Sequence, residues 1–454
     1  MKKNVLDMTV GKPEKLILSF AVPLFIGNLF QQLFIVFDTM IVGHLLGDHA
    51  LAAIGSTSSI YFLLITFLTG SSSGFSMILA RYFGAKDEEG LKKATGASVF
   101  LALLMTAVLT LIGIFMARPI LTLLNTPDYI IPDAHAYLQI LFATMGLTVA
   151  FNTTSGFLQA LGNSRMPLYS LGFALTVNVL LSFWFVAPSG LNLGVAAAAW
   201  ATVLSQGLAA SINLFFIVKN VPELHIRWKH LKPDKPLLKE IFLLAASIGF
   251  GNSIIQFGSV ILQFAINGFG VYTITAFTTA RKVFGITFMP LMTTGIAVST
   301  FTSQNLGAGK KDRIKSGLFA GVKITAIWST LMVLMAYGAG EYIVGFMSGS
   351  HTPQVITEAA FYLRVTLPFL YALSVLVLYK ALMQGMGHKK IPVITSVMEL
   401  AGKVIATLWV IPRIGFLGIA LTEPMIWVSC AILLILIVHK DALALPKFKK
   451  SKAV

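Results

Sequence analysis

The chain has 454 residues, of which 56% are hydrophobic and only 11% charged, with a formal net charge of +16. A water-soluble domain carries roughly 25% charged residues, so this composition excludes a soluble globular enzyme and makes lipid the solvent. One cysteine, Cys430, excludes an intrachain disulfide framework and speaks against a thiolate metal site, and no His-x-x-x-His pair occurs.

Apolar stretches of about the ~20 residues that cross a bilayer are read near 16–42, 51–78, 94–116, 136–158, 167–186 and 193–218. A polar segment rich in Lys, Pro and His follows at 219–236, and then come stretches near 237–266, 274–300, 318–339, 359–383, 391–411 and 416–438. The first run is too long for a secretory leader and lacks a small-x-small cleavage pattern, so it is read as a helix. The expected organisation is an N-lobe at 1–218, a cytoplasmic linker at 219–236, a C-lobe at 237–440 and a basic tail at 441–454.

The second half repeats the first. Gly27, Asn28 and Gln32 recur as Gly251, Asn252 and Gln256, and the stretch from Arg81 to Asp87 recurs from Gln304 to Lys310. Gln159, Gly162, Pro167 and Trp184 recur as Gln384, Gly387, Pro392 and Trp409. Six spans per half make the two halves parallel, related by an axis along the membrane normal. The expected fold is an all-α membrane protein of twelve transmembrane helices in two six-helix repeats.

Most of the 34 lysines and arginines fall in the segments that share a side with the N-terminus, among them Lys12, Lys86, Lys92, Lys229, Lys310, Arg313, Lys389 and Lys450. The positive-inside rule then places both termini in the cytoplasm. The basic excess thus reads as a topology signal and a contact for anionic membrane lipids, not as a nucleic-acid footprint.

Ionisable groups inside the apolar runs are few, and each costs ~2.5–3.5 kcal/mol or more unless it faces a cavity or a partner. Asp38 is the one carboxylate deep in the first half. It reads either as an interhelical hydrogen-bonding group or as a proton- or cation-binding site, since a carboxyl held away from bulk water can exchange protons near neutral pH. Pro23, fifteen residues earlier, is a fixed kink or a hinge. The second half carries Arg281, Lys282, Lys380, Glu399, Lys403 and Glu423. Glu399 and Lys403 have the favourable order for an (i, i+4) pair, with Lys380 able to join Glu399. That group is a self-neutralising structural cluster, a second coupling site or a gate lock. Gln31, Gln32, Asn152, Gln159, Asn178, Ser182, Gln206, Gln256 and Gln263 are expected chiefly as interhelical hydrogen-bond partners. The dinucleotide, Walker and His-Glu-x-x-His patterns are absent, so an energy source must come from an ion gradient.

These residues resemble the multidrug and toxic compound extrusion (MATE) transporters over essentially the whole chain. The resemblance rests on Pro23 with Phe37 to Gly43, Ala80 to Ala85, Leu158 to Asn163, Arg281 with Met289-Pro290, Ser303 to Ala308, and Glu423-Pro424. It implies two six-helix bundles facing as a V, and secondary antiport of small organic cations against H⁺ or Na⁺ by a monomer without a cofactor. In the DinF-like bacterial branch the first-helix Asp couples transport and the Pro lets that helix bend, roles that fall on Asp38 and Pro23. The fifth-helix Asn of that cluster corresponds to Asn178, while its companion Asp is replaced by Ser182; Gln32 is grouped with them. The NorM-like second-lobe sodium site is weakened, because Gln256 and Lys380 stand where acids are expected. A sodium ion at Asp38 stays open. The short loops suit a bacterial inner membrane. The rival reading is a lipid-linked oligosaccharide flippase, for which Arg281, Lys282, Lys380 and Lys403 would meet a pyrophosphate.

Overall fold

The structure is a computed structural model that describes residues 5–187, 190–191, 193–231, 234–349 and 352–441. The basic tail expected at 441–454 lies, beyond residue 441, outside the described residues, as do two residues of the linker. The chain is all-α, with no strand among the described residues.

The backbone is helical from Pro13 to Gly84, but Gly47 stands at φ 78° and ψ −173° and divides the run into α1 (13–46) and α2 (48–84). Such a conformation is close to glycine-only, because a Cβ there meets its own backbone. Next come α3 (Glu88–Leu123) and α4, formed by Ile131–Ala143 and Met145–Ala160 bent by 49°. Thr144 sits at the bend and returns its hydroxyl to the Ile140 carbonyl at 2.5 Å, a back-bond that tilts helices. After α5 (Arg165–Val186) and α6 (Val195–Asn220) the order continues with α7 (Lys235–Phe269), α8 (Val271–Gly307) and α9 (Lys311–Ser348). The last three are α10 (Pro353–Gly385), α11 (Lys390–Ile414) and α12 (Phe416–Asp441). α11 contains a π-helical turn at Ala406–Val410.

Ten helices are long and apolar enough to cross a membrane; the bent pair adds an eleventh and the break at Gly47 a twelfth among the described residues. Each of the twelve falls on a stretch read from sequence, with only 193–194 of the sixth stretch outside its helix.

The repeat is written into the backbone as well. Left-handed or otherwise positive φ occurs at Gly47, Lys86, Asn125, Gly162 and Gly194, and again at Gly270, Gly309, Gly349, Gly387 and Gly415. Each pair closes the corresponding turn between consecutive helices of the two halves. At the second turn Lys86 pays a small steric penalty at φ 55° where Gly309 meets none at 73°. Packing repeats too: α6 lies on α4 and α5 as α12 lies on α10 and α11.

By contacts the chain forms two compact units, the first chiefly Pro23–Ala245, the second Met8–Val22 together with the chain from Ala246 onward. The division therefore differs from one cut at the linker: the opening turns of α1 belong to the second unit, and those of α7 to the first. In the second unit Met8 is fully buried. Its N–H donates to Gln304 Oε1 at 2.8 Å, and its carbonyl accepts from Asn305 Nδ2 at 3.1 Å and Arg313 Nη2 at 3.2 Å. Arg313 also donates to the Gly11 carbonyl at 3.0 Å, and Lys310 to that of Thr9 at 2.9 Å. In the first unit Arg81 pairs with Glu240 of α7 at 2.8 Å. The linker is pinned to α3 there: buried His230 faces Glu89 at 3.3 Å, and its carbonyl lies so close to Gly96 that no side chain fits.

Close helix packing in the first unit rests on small residues. Ala197, Ala198, Ala199 and Ala201 of α6 are fully buried, letting backbones approach where lipid offers no hydrophobic drive. The second unit is cored by rings: Phe277 meets Tyr362 edge-on at 5.5 Å, and Phe284 stacks on Trp427 at 5.5 Å.

Candidate functional site

α1 exposes Gln31, Gln32, Leu33, Ile35, Val36, Phe37 and Met40 around its middle, yet Asp38 among them is buried. A carboxyl group is the last of these side chains expected to be hidden. What covers it is α5. Ser182 Oγ donates to Asp38 Oδ1 at 3.2 Å, with both side chains buried. One helical turn earlier on the same face of α5 stands Asn178, fully buried, with neither Oδ1 nor Nδ2 hydrogen-bonded to the protein. Buried amides are nearly always paired, so two orphan atoms on one residue are an exception that a bound water, ion or ligand would resolve.

The neighbourhood is polar on its other sides as well. Tyr61 of α2 and Tyr137 of α4 both lie within electrostatic range of Asp38. Gln206 of α6 donates to Tyr61 Oη at 3.4 Å and accepts from Thr148 of α4 at 2.6 Å. Among the described residues no cation pairs with Asp38. The Asp38 neighbourhood thus holds one acid, two amides and hydroxyls on five helices, with no cation paired to the acid among the described residues.

The second unit is built the opposite way. Arg281 of α8 donates to Glu423 of α12 at 2.6 Å, and Lys403 of α11 lies 3.6 Å from the other oxygen of the same carboxylate. Lys403 also donates to Ser259 of α7 at 2.9 Å. Lys380 of α10 lies 3.5 Å from Glu399 of α11 and donates to Ser396 at 2.9 Å. The (i, i+4) pair expected between Glu399 and Lys403 does not form. Both residues share a face of α11, but each is drawn to a buried partner on another helix: Lys403 to Glu423, Glu399 to Lys380. Gly258 lets the Lys403 stem pass, since a Cβ there would come within 3.0 Å of it.

The structure brings Asp38, Asn178 and Ser182 together, and separately Arg281, Lys380, Glu399 and Lys403. Gln32 stays on the exposed surface of α1, six residues and therefore about 240° around the helix from Asp38. No hydrogen bond joins half-buried Gln256 to the second-unit cluster among the described residues. Pro23 lies within a continuous helix, at the residue where the first unit begins. Sequence reading missed Tyr61, Tyr137 and Thr148, which look like ordinary span residues, and Ser259 and Ser396, whose only signal is their place on α7 and α11.

Comparison with known proteins follows the same lines. The MatE family model matches twice, over residues 23–184 and 247–408, and the two starts lie 224 residues apart (247 less 23). The first match begins at Pro23, as the first unit does. The probable multidrug resistance protein YpnP of Bacillus subtilis is 29% identical over 340 residues, covering 74% of this chain and 75% of that protein. The multidrug export protein MepA of Staphylococcus aureus is 22% identical over 429 residues, 94% of this chain and 93% of that one. A MATE protein solved in a bent conformation superposes with a TM-score of 0.88 at 21% identity, over 98% of each chain. An outward-facing multidrug resistance MATE family transporter of the MOP superfamily gives 0.88 at 21%, over 99% of this chain and 100% of the other. At such identity the superpositions establish the fold alone.

Proposed function

The chain belongs to the MatE (MATE) family of multi-pass multidrug efflux transporters, and from that premise we propose that it exports small organic cations by antiport against H⁺ or Na⁺, coupled through Asp38. The observation that carries this reading is the carboxylate without an ion-pair partner, buried against Ser182, one helical turn along α5 from the orphan amide of Asn178. In a bilayer an ionised acid without a countercharge is costly, so its charge is poised to be met by something that comes and goes. A proton on Asp38, or a cationic substrate beside it, each meets that need, and the two exclude one another. Exclusion of that kind is what an exchanger requires. The carboxylate, the Ser182 hydroxyl and the Asn178 carbonyl are also the hard oxygen donors that a small cation takes, which supports Na⁺ as the alternative coupling ion.

The driving force is ample. One charge moving down the membrane potential supplies ~2.3 kcal/mol per 100 mV. With termini in the cytoplasm of a bacterial cell, ions enter as substrate leaves. Pro23 is the point at which α1 flexes when Asp38 changes charge.

The test is Asp38→Asn in everted vesicles loaded against a fluorescent organic cation, with pH and sodium gradients imposed one at a time. The expected result is gradient-driven accumulation inside the everted vesicles, the equivalent of cellular efflux, with the parent and none with the variant at equal expression. Parent-like efflux by the variant would end the coupling role. The flippase reading is supported by the cations of the second unit; translocation of a lipid pyrophosphate with no ion dependence would favour it.

A further inference from the structure

Arg281 and Lys282 stand side by side on α8, ten and eleven residues from its start at Val271, or ~15 Å along the axis. Ionised groups at such depth face a partner or water. For Arg281 the partner side is fully furnished. Its Nη1 donates to Glu423 at 2.6 Å, and its guanidinium lies 5.9 Å from the Phe277 ring and 5.6 Å from the Phe284 ring. Those walls are themselves fixed, Phe277 against Tyr362 and Phe284 against Trp427, and Tyr362 and Glu423 are both buried. Yet the Arg281 side chain keeps 32% of its surface exposed while Glu423 keeps 6%. A guanidinium offers five N–H donors in a planar fork. Here Glu423, the Tyr362 hydroxyl and the aromatic rings hold the group in place, and the exposed third of the side chain leaves part of the fork open.

The charges do not balance. Lys380 and Glu399 match one for one, but Glu423 serves both Arg281 and Lys403. Exposed Lys282 adds a further positive charge with no ion pair shown to it. A self-neutralising cluster would need another carboxylate, and the described residues around it supply none.

We infer that the second unit carries an anion-recognition site centred on Arg281, taking a carboxylate or phosphate group of an amphiphile. A fixed fork with a free edge is the geometry that reads planar oxyanions bidentately, and Lys282 adds long-range attraction. The site is independent of the coupling role proposed for Asp38.

Two probes with one tail and opposite heads, dodecyl phosphate and dodecyltrimethylammonium, are titrated by calorimetry into the purified full chain in neutral detergent. Dodecyl phosphate is expected to bind the tighter, and Arg281→Gln to weaken it by about tenfold or more, the worth of a charge-assisted hydrogen bond. Arg281→Lys, which keeps the charge and the Glu423 pair but loses the fork, is expected to weaken it similarly, and Lys282→Gln to weaken it less and to lower its salt sensitivity. Asp38→Asn is expected to bind as the parent does. Displacement by soluble phenyl phosphate identifies a free solute as the source of the anion. Suppression only in nanodiscs of phosphatidylglycerol, not phosphatidylcholine, identifies a lipid headgroup. Unchanged dodecyl phosphate affinity in Arg281→Lys and Lys282→Gln, both checked as monodisperse, overturns the site, as does equal binding of the two probes by Asp38→Asn, in which the proposed cation site is removed.

Discussion

Asn178 is a residue whose placement costs stability without adding a hydrogen bond to the protein. Leaving a buried polar group unsatisfied costs about 1–3 kcal/mol per group, and both ends of this amide are orphaned. Asn178→Leu, similar in volume and without polar atoms, is therefore expected to raise the melting temperature by about 2–4 °C while lowering transport. Thermal unfolding by intrinsic fluorescence measures the first effect and vesicle efflux the second. A lower melting temperature would show that the amide is paired in the working protein. Asp38 was legible in the sequence because a lone acid in an apolar run has few bland explanations. Its relation to Ser182 and Asn178 was not legible from the residues themselves, since nothing in the spacing of α1 and α5 says that they meet; the family resemblance alone pointed there. The second-unit ion pairs show the reverse failure. A correct local rule, the (i, i+4) spacing of Glu399 and Lys403, was overridden by partners far away in sequence.

At the scale of elements, the segment from Met8 to Gly11 is held by side chains roughly three hundred positions later, an arrangement no local pattern announces. Arg313 is its main clasp, reaching Asn305, Met8 and Gly11 at once. Arg313→Ala is expected to speed amide hydrogen exchange over residues 8–16 about tenfold or more, the loss of at least one charge-assisted bond, with the middle of α8 unaffected. Unaltered exchange at those residues would show that the segment is held by other means. The sequence does mark the partner motif, since Gln304 to Lys310 is the counterpart of Arg81 to Asp87. Its task was hidden because the two copies differ: Gln304 takes a backbone N–H where Arg81 takes the Glu240 carboxylate. The bend of α4 at Thr144 and the π turn of α11 were equally invisible, because hydropathy reports length and not straightness.

For the whole molecule, twelve spans and an internal repeat were readable because both follow from counting: apolar length against bilayer thickness, and identities against a constant offset. The boundary between the compact units was not, since it falls inside continuous helices, at Val22–Pro23 and Ala245–Ala246, where composition does not change. These two positions sit 223 residues apart (246 less 23), so the repeat and the division of the chain coincide. The two clusters differ, a buried acid without an ion-pair partner in the first unit and an excess of cations around Glu423 in the second, and the proposed exchange mechanism draws on the first. The measurement that bears on it most directly is the counter-flow of ions in proteoliposomes carrying a trapped pH dye. With the membrane potential clamped, an imposed gradient of organic cation is expected to drive protons the opposite way through the parent protein, and not through Asp38→Asn. Proton movement that is the same in parent and variant, with substrate transport intact in both, would contradict it.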